Sequence, residues 1–151
     1  MDKLKIIKTE TEELLKKMID KFEVEVKKEE EVYQIKIKAE DEASTIIGRH
    51  GETIRSLQKI LEVILFKKFK KSVDILVNVN DFREKQKQKI EKIAQEMAQK
   101  TIEEKKTNFI QNLSSYERKL VHEYISENYP LLTTYSIGEG KDRRLVIDFN
   151  K

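Results

Sequence analysis

The first half of the chain contains three stretches in which apolar and polar residues alternate with the two-residue period of a β-strand. The first two, residues 23–28 and 32–38, are separated by the charged run Glu29-Glu30-Glu31, which predicts an exposed turn between paired strands. The third runs from Ser72 to Val79. The apolar side chains predicted to face a common core are Val24, Val26, Tyr33, Ile35, Ile37, Val73, Ile75, Val77 and Val79.

Helical patterns surround these strands. A capping box from Thr9 to Glu12 predicts a helix that begins there and continues to about Phe22. Asp41 is predicted to cap a short helix that ends at a glycine loop, and a longer amphipathic helix follows that loop. Lysines at the end of the longer helix suit the negative end of its dipole. Its apolar positions are Ile54, Leu57, Leu61, Ile64 and Leu65.

The second half also mixes helix and strand. A helix is predicted from Asp81 to about Lys105, followed by a short extended segment near Phe109. Ser114-Ser115-Tyr116-Glu117 forms an S-x-x-E capping box for another helix, which Pro130 closes. Residues 131–137 and 143–149 alternate as strands joined by a loop with two glycines. The patterns predict an α+β protein with two domains, residues 1–80 and 81–151, each with helices on a three-stranded sheet.

Composition narrows the class of protein. Charged residues make up 39% of the 151 residues, yet the net charge is +3 and the pI about 8.9, so nucleic-acid binding is permitted rather than required. The absence of cysteine excludes disulfides, a thiolate nucleophile and a cysteine-based zinc site. The N-terminus lacks the apolar core of a signal peptide, and no apolar run is long enough to span a bilayer. A soluble cytoplasmic protein is expected.

The first glycine pair forms a G-x-x-G loop, Gly48-Arg49-His50-Gly51, between two predicted helices. Because glycine has no Cβ, the backbone can adopt a positive φ and an anionic phosphate can approach closely. The free N–H groups and the positive dipole end of the following helix favour the same ligand. Arg49 and His50 add hydrogen-bond donors, and Arg55 lies one turn into the helix. The tetrapeptide also occurs in ordinary turns, so its surroundings carry the interpretation.

A second candidate site lies on the helix that begins near Ser114. Arg118 and His122 are four residues apart and therefore share one face of the helix. Arg143 and Arg144 follow the second glycine pair and extend the positive surface, although strand alternation lets only one of them point towards a ligand. The tyrosines expected in the core or at its rim, rather than as stacking platforms, are Tyr116, Tyr124, Tyr129 and Tyr135.

The order helix, strand, strand, helix, G-x-x-G, helix, strand resembles the prokaryotic type II K-homology (KH) domain. The Arg-x-x-x-His helix with its Gly-x-Gly hairpin resembles the single-strand-binding domain named for that spacing. Together they resemble the C-terminal region of the bacterial Jag family, also called SpoIIIJ-associated or KhpB-type proteins. The matching segments are Ile47-Gly48-Arg49-His50-Gly51-Glu52-Thr53, Asp81-Phe82-Arg83, Tyr116-Glu117-Arg118, Val121-His122, Thr134-Tyr135-Ser136, Gly138-Glu139-Gly140 and Arg143-Arg144-Leu145-Val146-Ile147.

The resemblance implies a cytoplasmic RNA-binding regulator, in a family linked to cell elongation, division or sporulation and often paired with a small KH protein. Gly48 to Gly51 would cradle about four nucleotides of single-stranded RNA backbone, with Arg49, His50 and Arg55 as contacts. Arg118 would hold a phosphate, and His122 would bind phosphate or stack against a base. Single-stranded DNA is the alternative nucleic acid, and neither a cofactor nor a metal is predicted.

Two features depart from the family pattern. Many members carry a further N-terminal Jag domain and linker, whereas this chain begins almost at the first KH helix, so that domain is expected to be missing. The hairpin has Lys141-Asp142 where family members commonly place a proline, which predicts a looser loop with altered charge.

Two other classes of function compete with RNA binding. An enzyme has little support, because His50 and His122 are the only histidines and no H-E-x-x-H or Walker motif is present. The plentiful carboxylates leave a metal-dependent nuclease conceivable. The stronger alternative is a protein-interaction scaffold with a degenerate KH fold and no RNA role. The intact glycines, together with Arg118 and His122, argue against such a loss of RNA affinity.

Overall fold

A computed structural model describes residues 2–151, and this range contains five α-helices and six β-strands. The mixed α+β class is the one the sequence predicted. Two compact units divide the chain, the first ending at Arg83 and the second running from Glu84 to Lys151. Within residues 2–151 no helix combines the length and apolarity needed to cross a membrane. The elements are α1 (Lys3–Lys16), β1 (Glu23–Glu29), β2 (Val32–Lys38), α2 (Ala43–Ile47), α3 (Glu52–Phe69), β3 (Ile75–Val79), α4 (Phe82–Glu104), β4 (Asn108–Ile110), α5 (Ser115–Asn128), β5 (Leu132–Ile137) and β6 (Arg144–Phe149).

The sheet of the first unit has the strand order β1-β2-β3. β1 and β2 are antiparallel, with Glu29 opposite Val32 at the turn, as the charged run predicted. β3 lies parallel to β2, because α2 and α3 form the crossover between these strands. The buried core that results includes Ile7, Leu15, Ile35, Ile37, Ile46, Ile54, Leu57, Leu61, Leu65, Val77 and Val79.

Helix α1 begins and ends earlier than the sequence predicted. The Asp2 side chain accepts a backbone N–H hydrogen bond of 3.1 Å from the first turn and caps the helix at Lys3. The predicted start at Thr9 is therefore wrong, since Thr9 is an interior residue. Ile7 is fully buried, so core packing extends the helix ahead of the local capping pattern. The helix ends at Lys16, well before its predicted end.

Two further boundaries in this unit differ from the prediction. Glu42, not Asp41, occupies the N-cap position of α2, and its side chain makes no capping bond there. It accepts a hydrogen bond of 3.0 Å from the Asp20 N–H instead. β3 begins at Ile75, three residues later than predicted, and Ile75 is the first residue paired with β2, opposite Tyr33. Val73 lies ahead of the strand and packs against the core half-buried.

The second unit has an antiparallel sheet with the order β4-β6-β5. The predicted capping box of α5 is confirmed. The Glu117 N–H donates to the Ser114 hydroxyl at 3.1 Å, and the Ser114 N–H donates to the Glu117 carboxylate at 2.9 Å. The helices α4 and α5 cover one face of the sheet, and the buried core comprises Ile90, Ala94, Ala98, Ile110, Leu120, Val121, Ile125, Leu132, Leu145 and Ile147.

Candidate nucleic-acid interface

The G-x-x-G loop joins α2 to α3 through a largely left-handed backbone. The φ angle is +73° at Gly48, +55° at His50 and +76° at Gly51. A single 3-10 turn fills the loop, in which the Gly51 N–H donates to the Gly48 carbonyl at 3.2 Å. Helix α3 begins at Glu52, so its first-turn N–H groups adjoin the loop. The positive φ anticipated for the glycines is thus present at both of them.

Packing inside the protein also requires both glycines. A Cβ at Gly48 would collide with the Thr53 hydroxyl, and a Cβ at Gly51 would lie 2.8 Å from the Phe82 ring. Gly51 is buried, and Phe82 packs against the first core. The room that glycine leaves for a phosphate is therefore not the only reason that this loop needs glycine.

The polar residues of the loop have different surroundings. Arg49 is exposed, and His50 is half-buried. The Arg55 guanidinium donates to the His50 carbonyl at 2.9 Å, so Arg55 braces the loop from the first turn of α3. A guanidinium carries five N–H donors, so this bond is compatible with a further contact to RNA. Arg55 remains a predicted contact with an additional structural role.

Residues in the segment after β3 hold the G-x-x-G loop in place. The sequence did not predict this role for them. The Arg83 guanidinium donates to the Val77 carbonyl at 2.7 Å and to the Gln58 side-chain oxygen at 3.0 Å. That oxygen also accepts the Val77 N–H at 3.0 Å. These bonds tie α3, β3 and the start of α4 together and hold Phe82 beside Gly51. The sole signal in the sequence was the family match at Asp81-Phe82-Arg83.

Arg118 and His122 share one face of α5, as their spacing predicted, and each contacts a neighbouring segment. The Arg118 guanidinium donates to the Leu113 carbonyl at 2.7 Å and to the Ser115 hydroxyl at 3.1 Å. The His122 ring bonds through Nδ1 to the hydroxyl of Thr134 on β5. His122 is exposed, so this bond orients the ring and leaves Nε2 as the nitrogen available to a ligand. The buried Thr134 was not among the predicted site residues.

The two arginines after the hairpin lie in different places. The Arg143 guanidinium donates to the Gly138 carbonyl at 2.8 Å and closes the hairpin. Arg144 begins β6, and its guanidinium lies 5.2 Å from the centroid of the Phe109 ring. The next residue, Leu145, faces the core that α5 covers, so alternation places Arg144 on the opposite face of the sheet. The structure therefore separates Arg144 from the Arg-x-x-x-His pair.

Electrostatics and metal chemistry add little at these two sites. Nowhere in the described chain do three His, Asp or Glu side chains form a group that could hold a metal ion. The pKa of Asp148, on β6, lies below its usual value because its carboxylate accepts hydrogen bonds from the Phe149 N–H and from the Thr107 hydroxyl. The candidate interface itself offers permanently charged arginine side chains and backbone N–H donors, which suit an anionic polymer.

Comparison with known proteins accounts for both halves of the chain. The family described as KhpA/KhpB, KH domain, matches residues 8–77, and the family described as the R-3-H domain, after its Arg-x-x-x-His spacing, matches residues 88–148. The prediction that the chain is not an enzyme is confirmed, because the chain matches a KH domain and an R-3-H domain and the relatives carry the name RNA-binding protein.

Several relatives are named RNA-binding protein KhpB. The protein from Streptococcus pneumoniae is 31% identical over 108 residues, which cover 72% of this chain and 33% of the relative. The one from Lactiplantibacillus plantarum is 31% identical over 106 residues, 70% of this chain and 33% of the relative. The one from Bacillus subtilis is 28% identical over 113 residues, 74% of this chain and 54% of the relative.

The matched region therefore spans about a third to about half of the length of these relatives. The predicted resemblance to the Jag, or KhpB-type, family is confirmed on the two domains and their order. This chain belongs to the KhpB-type family, with a KhpA/KhpB KH domain followed by an R-3-H domain.

Proposed function

We propose that this chain binds single-stranded RNA through two sites, the G-x-x-G loop of its KH domain and the Arg118–His122 face of its R-3-H domain. The observation that carries the proposal is the loop. Its left-handed backbone is held directly ahead of the α3 N-terminus by packing against Phe82 and by the bond from Arg55. The name shared by the relatives, RNA-binding protein, agrees with such a ligand.

At the KH loop the proposal has an electrostatic basis. The first N–H groups of α3 have no partner within the helix and carry the positive end of its dipole, so a phosphate is stabilised there. The exposed Arg49 adds a full charge, and His50 adds a ring that can donate a hydrogen bond. A KH loop clamps about four nucleotides of backbone and leaves the bases for the neighbouring groove. Base specificity at this site is therefore modest.

At the R-3-H site, His122 presents its Nε2 side to the ligand while Thr134 holds the other nitrogen. Arg118 keeps further N–H donors beyond the two that bond Leu113 and Ser115, and these supply charge to a phosphate. Arg143, on the hairpin, adds a further cation near this site, whereas the Arg144 guanidinium lies over Phe109 on the other face of the sheet. The two sites do not depend on a cofactor.

The proposal includes a protein partner, a small KH-domain protein, as the family resemblance implies. An exposed apolar stripe on α3 could supply the apolar part of a larger contact with such a partner: Ile60, Val63 and Phe66 recur every three residues and are 46%, 67% and 54% exposed. Exposed apolar patches of this kind mark protein contacts, because covering them removes apolar surface from water.

We propose the cytoplasm as the compartment and the control of RNAs for cell elongation, division or sporulation as the role.

Fluorescence-anisotropy titration of a labelled, random-sequence single-stranded RNA at several salt concentrations tests the proposal. The logarithm of the binding constant is expected to fall linearly with the logarithm of salt concentration, by roughly 0.7 per phosphate neutralised. Competition with single-stranded DNA of the same sequence determines the preference between the two nucleic acids.

Four variants assign the binding to the two sites. His50→Asp places a carboxylate in the loop and should weaken binding, whereas His50→Asn is a matched neutral control that accepts the same left-handed backbone. Arg118→Ala combined with His122→Ala should weaken binding independently. Because Arg118 also anchors Leu113, His122→Ala alone is the variant with the smaller structural effect. Absent native binding, or binding unchanged in all variants, would favour the protein-interaction scaffold.

A further inference from the structure

The outer face of the second sheet carries a patch that the two proposed sites leave unexplained. Phe109 on β4 and Tyr135 on β5 are 51% and 47% exposed, and both are register partners of Val146 on the central strand β6. None of the three belongs to the core of this unit. We call Phe109, Tyr135, Val146 and Arg144 the outer patch.

The two rings of the outer patch stand on either side of Val146. Neighbouring strands are about 4.8 Å apart, so the Cα atoms of Phe109 and Tyr135 lie about 10 Å from each other. One nucleobase cannot stack on both rings at that distance, so each ring offers its own surface. The flanking rings also explain why Val146 is only 5% exposed although it lies outside the core.

Arg144 adds a cation to this pair of rings. Its guanidinium lies 5.2 Å from the Phe109 centroid, in a cation–π contact that holds the planar group above the patch. Nucleobases stack on guanidinium planes as well as on aromatic rings, and the same group donates to phosphate. On the same face, the carboxylate of Asp148 is engaged by Thr107 at 2.9 Å, four residues along β6 from Arg144.

We propose that the outer patch is a stacking platform for two bases of a single-stranded RNA, one on Tyr135 and one on the Phe109–Arg144 pair. This inference rests on the proposed RNA-binding function and adds a third contact region to it. A stable protein interface buries about 800 Å² per partner, far more than two half-exposed rings and the neighbouring Ile137 offer. A base, by contrast, needs only one ring.

RNA titration of the full chain at several salt concentrations tests the platform. Phe109→Ala and Tyr135→Ala should each weaken binding by about 5-fold to 150-fold, the range for losing one stacked base, with an unchanged salt slope because no cation is removed. Tyr135→Phe keeps the ring and should retain affinity. Phe109→Leu keeps apolar area but loses the aromatic plane, so it should weaken RNA binding, whereas apolar docking of a protein would tolerate it.

Photocrosslinking gives a second measurement, which locates the RNA contact on the chain. A 4-thiouridine-substituted RNA bound to the native chain should crosslink to peptides that contain Phe109 or Tyr135. If His50→Asp weakens binding while both alanine variants bind normally and neither peptide crosslinks, the platform is overturned and the proposed function stands. If the native chain binds no RNA, both the platform and the proposed function fail. If the alanine variants change self-association or protein binding and leave RNA binding unchanged, the outer patch is a protein contact and the platform is overturned.

Discussion

At the scale of single residues, the G-x-x-G loop is shaped as much by its neighbours as by its own composition. His50 has a φ of +55°, in a region where His, Asn and Asp are enriched among residues other than glycine. The sequence identified the loop, because a glycine pair between two helical patterns is a local signal. It could not reveal that Phe82 closes one side of Gly51, since that contact joins residues far apart in the chain.

Gly51→Ala is expected to destabilise the protein more than a matched change at Gly140. Both glycines have a positive φ, which costs alanine about 1–2 kcal/mol. A Cβ at Gly51 also meets the Phe82 ring at 2.8 Å, whereas nothing lies within 4 Å of one at Gly140. Urea unfolding followed by circular dichroism should give a loss of about 3 kcal/mol or more for Gly51→Ala and about 1–2 kcal/mol for Gly140→Ala. Equal losses would mean that Phe82 moves aside freely.

At the scale of secondary structure, two similar capping patterns had opposite outcomes. The box at Ser114 caps α5 through both of its hydrogen bonds, whereas the similar pattern at Thr9 lies inside α1. Strand alternation located β2 fully and β1, β5 and β6 to within one residue, because a sheet with one buried face imposes that period. The start of α1 could not be found this way, since burial of Ile7 against distant strands decides it.

Replacing Ser114 and Thr9 by alanine should distinguish the residue that caps a helix from the one that lies inside a helix. Ser114→Ala removes the acceptor for the Glu117 N–H and is expected to lower the free energy of unfolding by about 1 kcal/mol. Thr9→Ala changes an exposed interior position to a better helix former and should leave stability equal or slightly higher. Thermal and urea unfolding of both variants measure the difference. A loss at Thr9 matching that at Ser114 would contradict the α1 boundary.

At the scale of the whole molecule, one chain carries two nucleic-acid-binding domain types in sequence. Each proposed site would contact only a few nucleotides, so we expect each alone to bind weakly. Covalent linkage raises the effective concentration of the second site once the first is occupied, if one strand reaches both. The sequence could not predict the path of the RNA between the two sites. Hydrophobic patterns and motifs within one domain carry no information about that path.

A single RNA long enough to engage both domains should therefore bind more tightly than two short RNAs of the same total length. The dissociation constant should fall by about 100-fold or more, the lower end of the gain that linked sites reach when both engage. Anisotropy titrations with a series of oligonucleotide lengths measure it. The gain should shrink in His122→Ala and in His50→Asp, since each variant weakens one of the linked contact regions. A smooth, shallow dependence on length would indicate one site only.

The packing of Phe82 against Gly51 has a practical consequence for dissecting this protein. The KH domain predicted from sequence ends at residue 80, but Phe82 and Arg83, which complete the surroundings of its loop, come after that point. A fragment cut at residue 80 would expose one side of Gly51 and release the Gln58–Arg83 bond. Weak RNA binding by such a fragment would then reflect a disrupted loop rather than a low intrinsic affinity of the KH domain. A fragment that extends through Arg83 avoids that error.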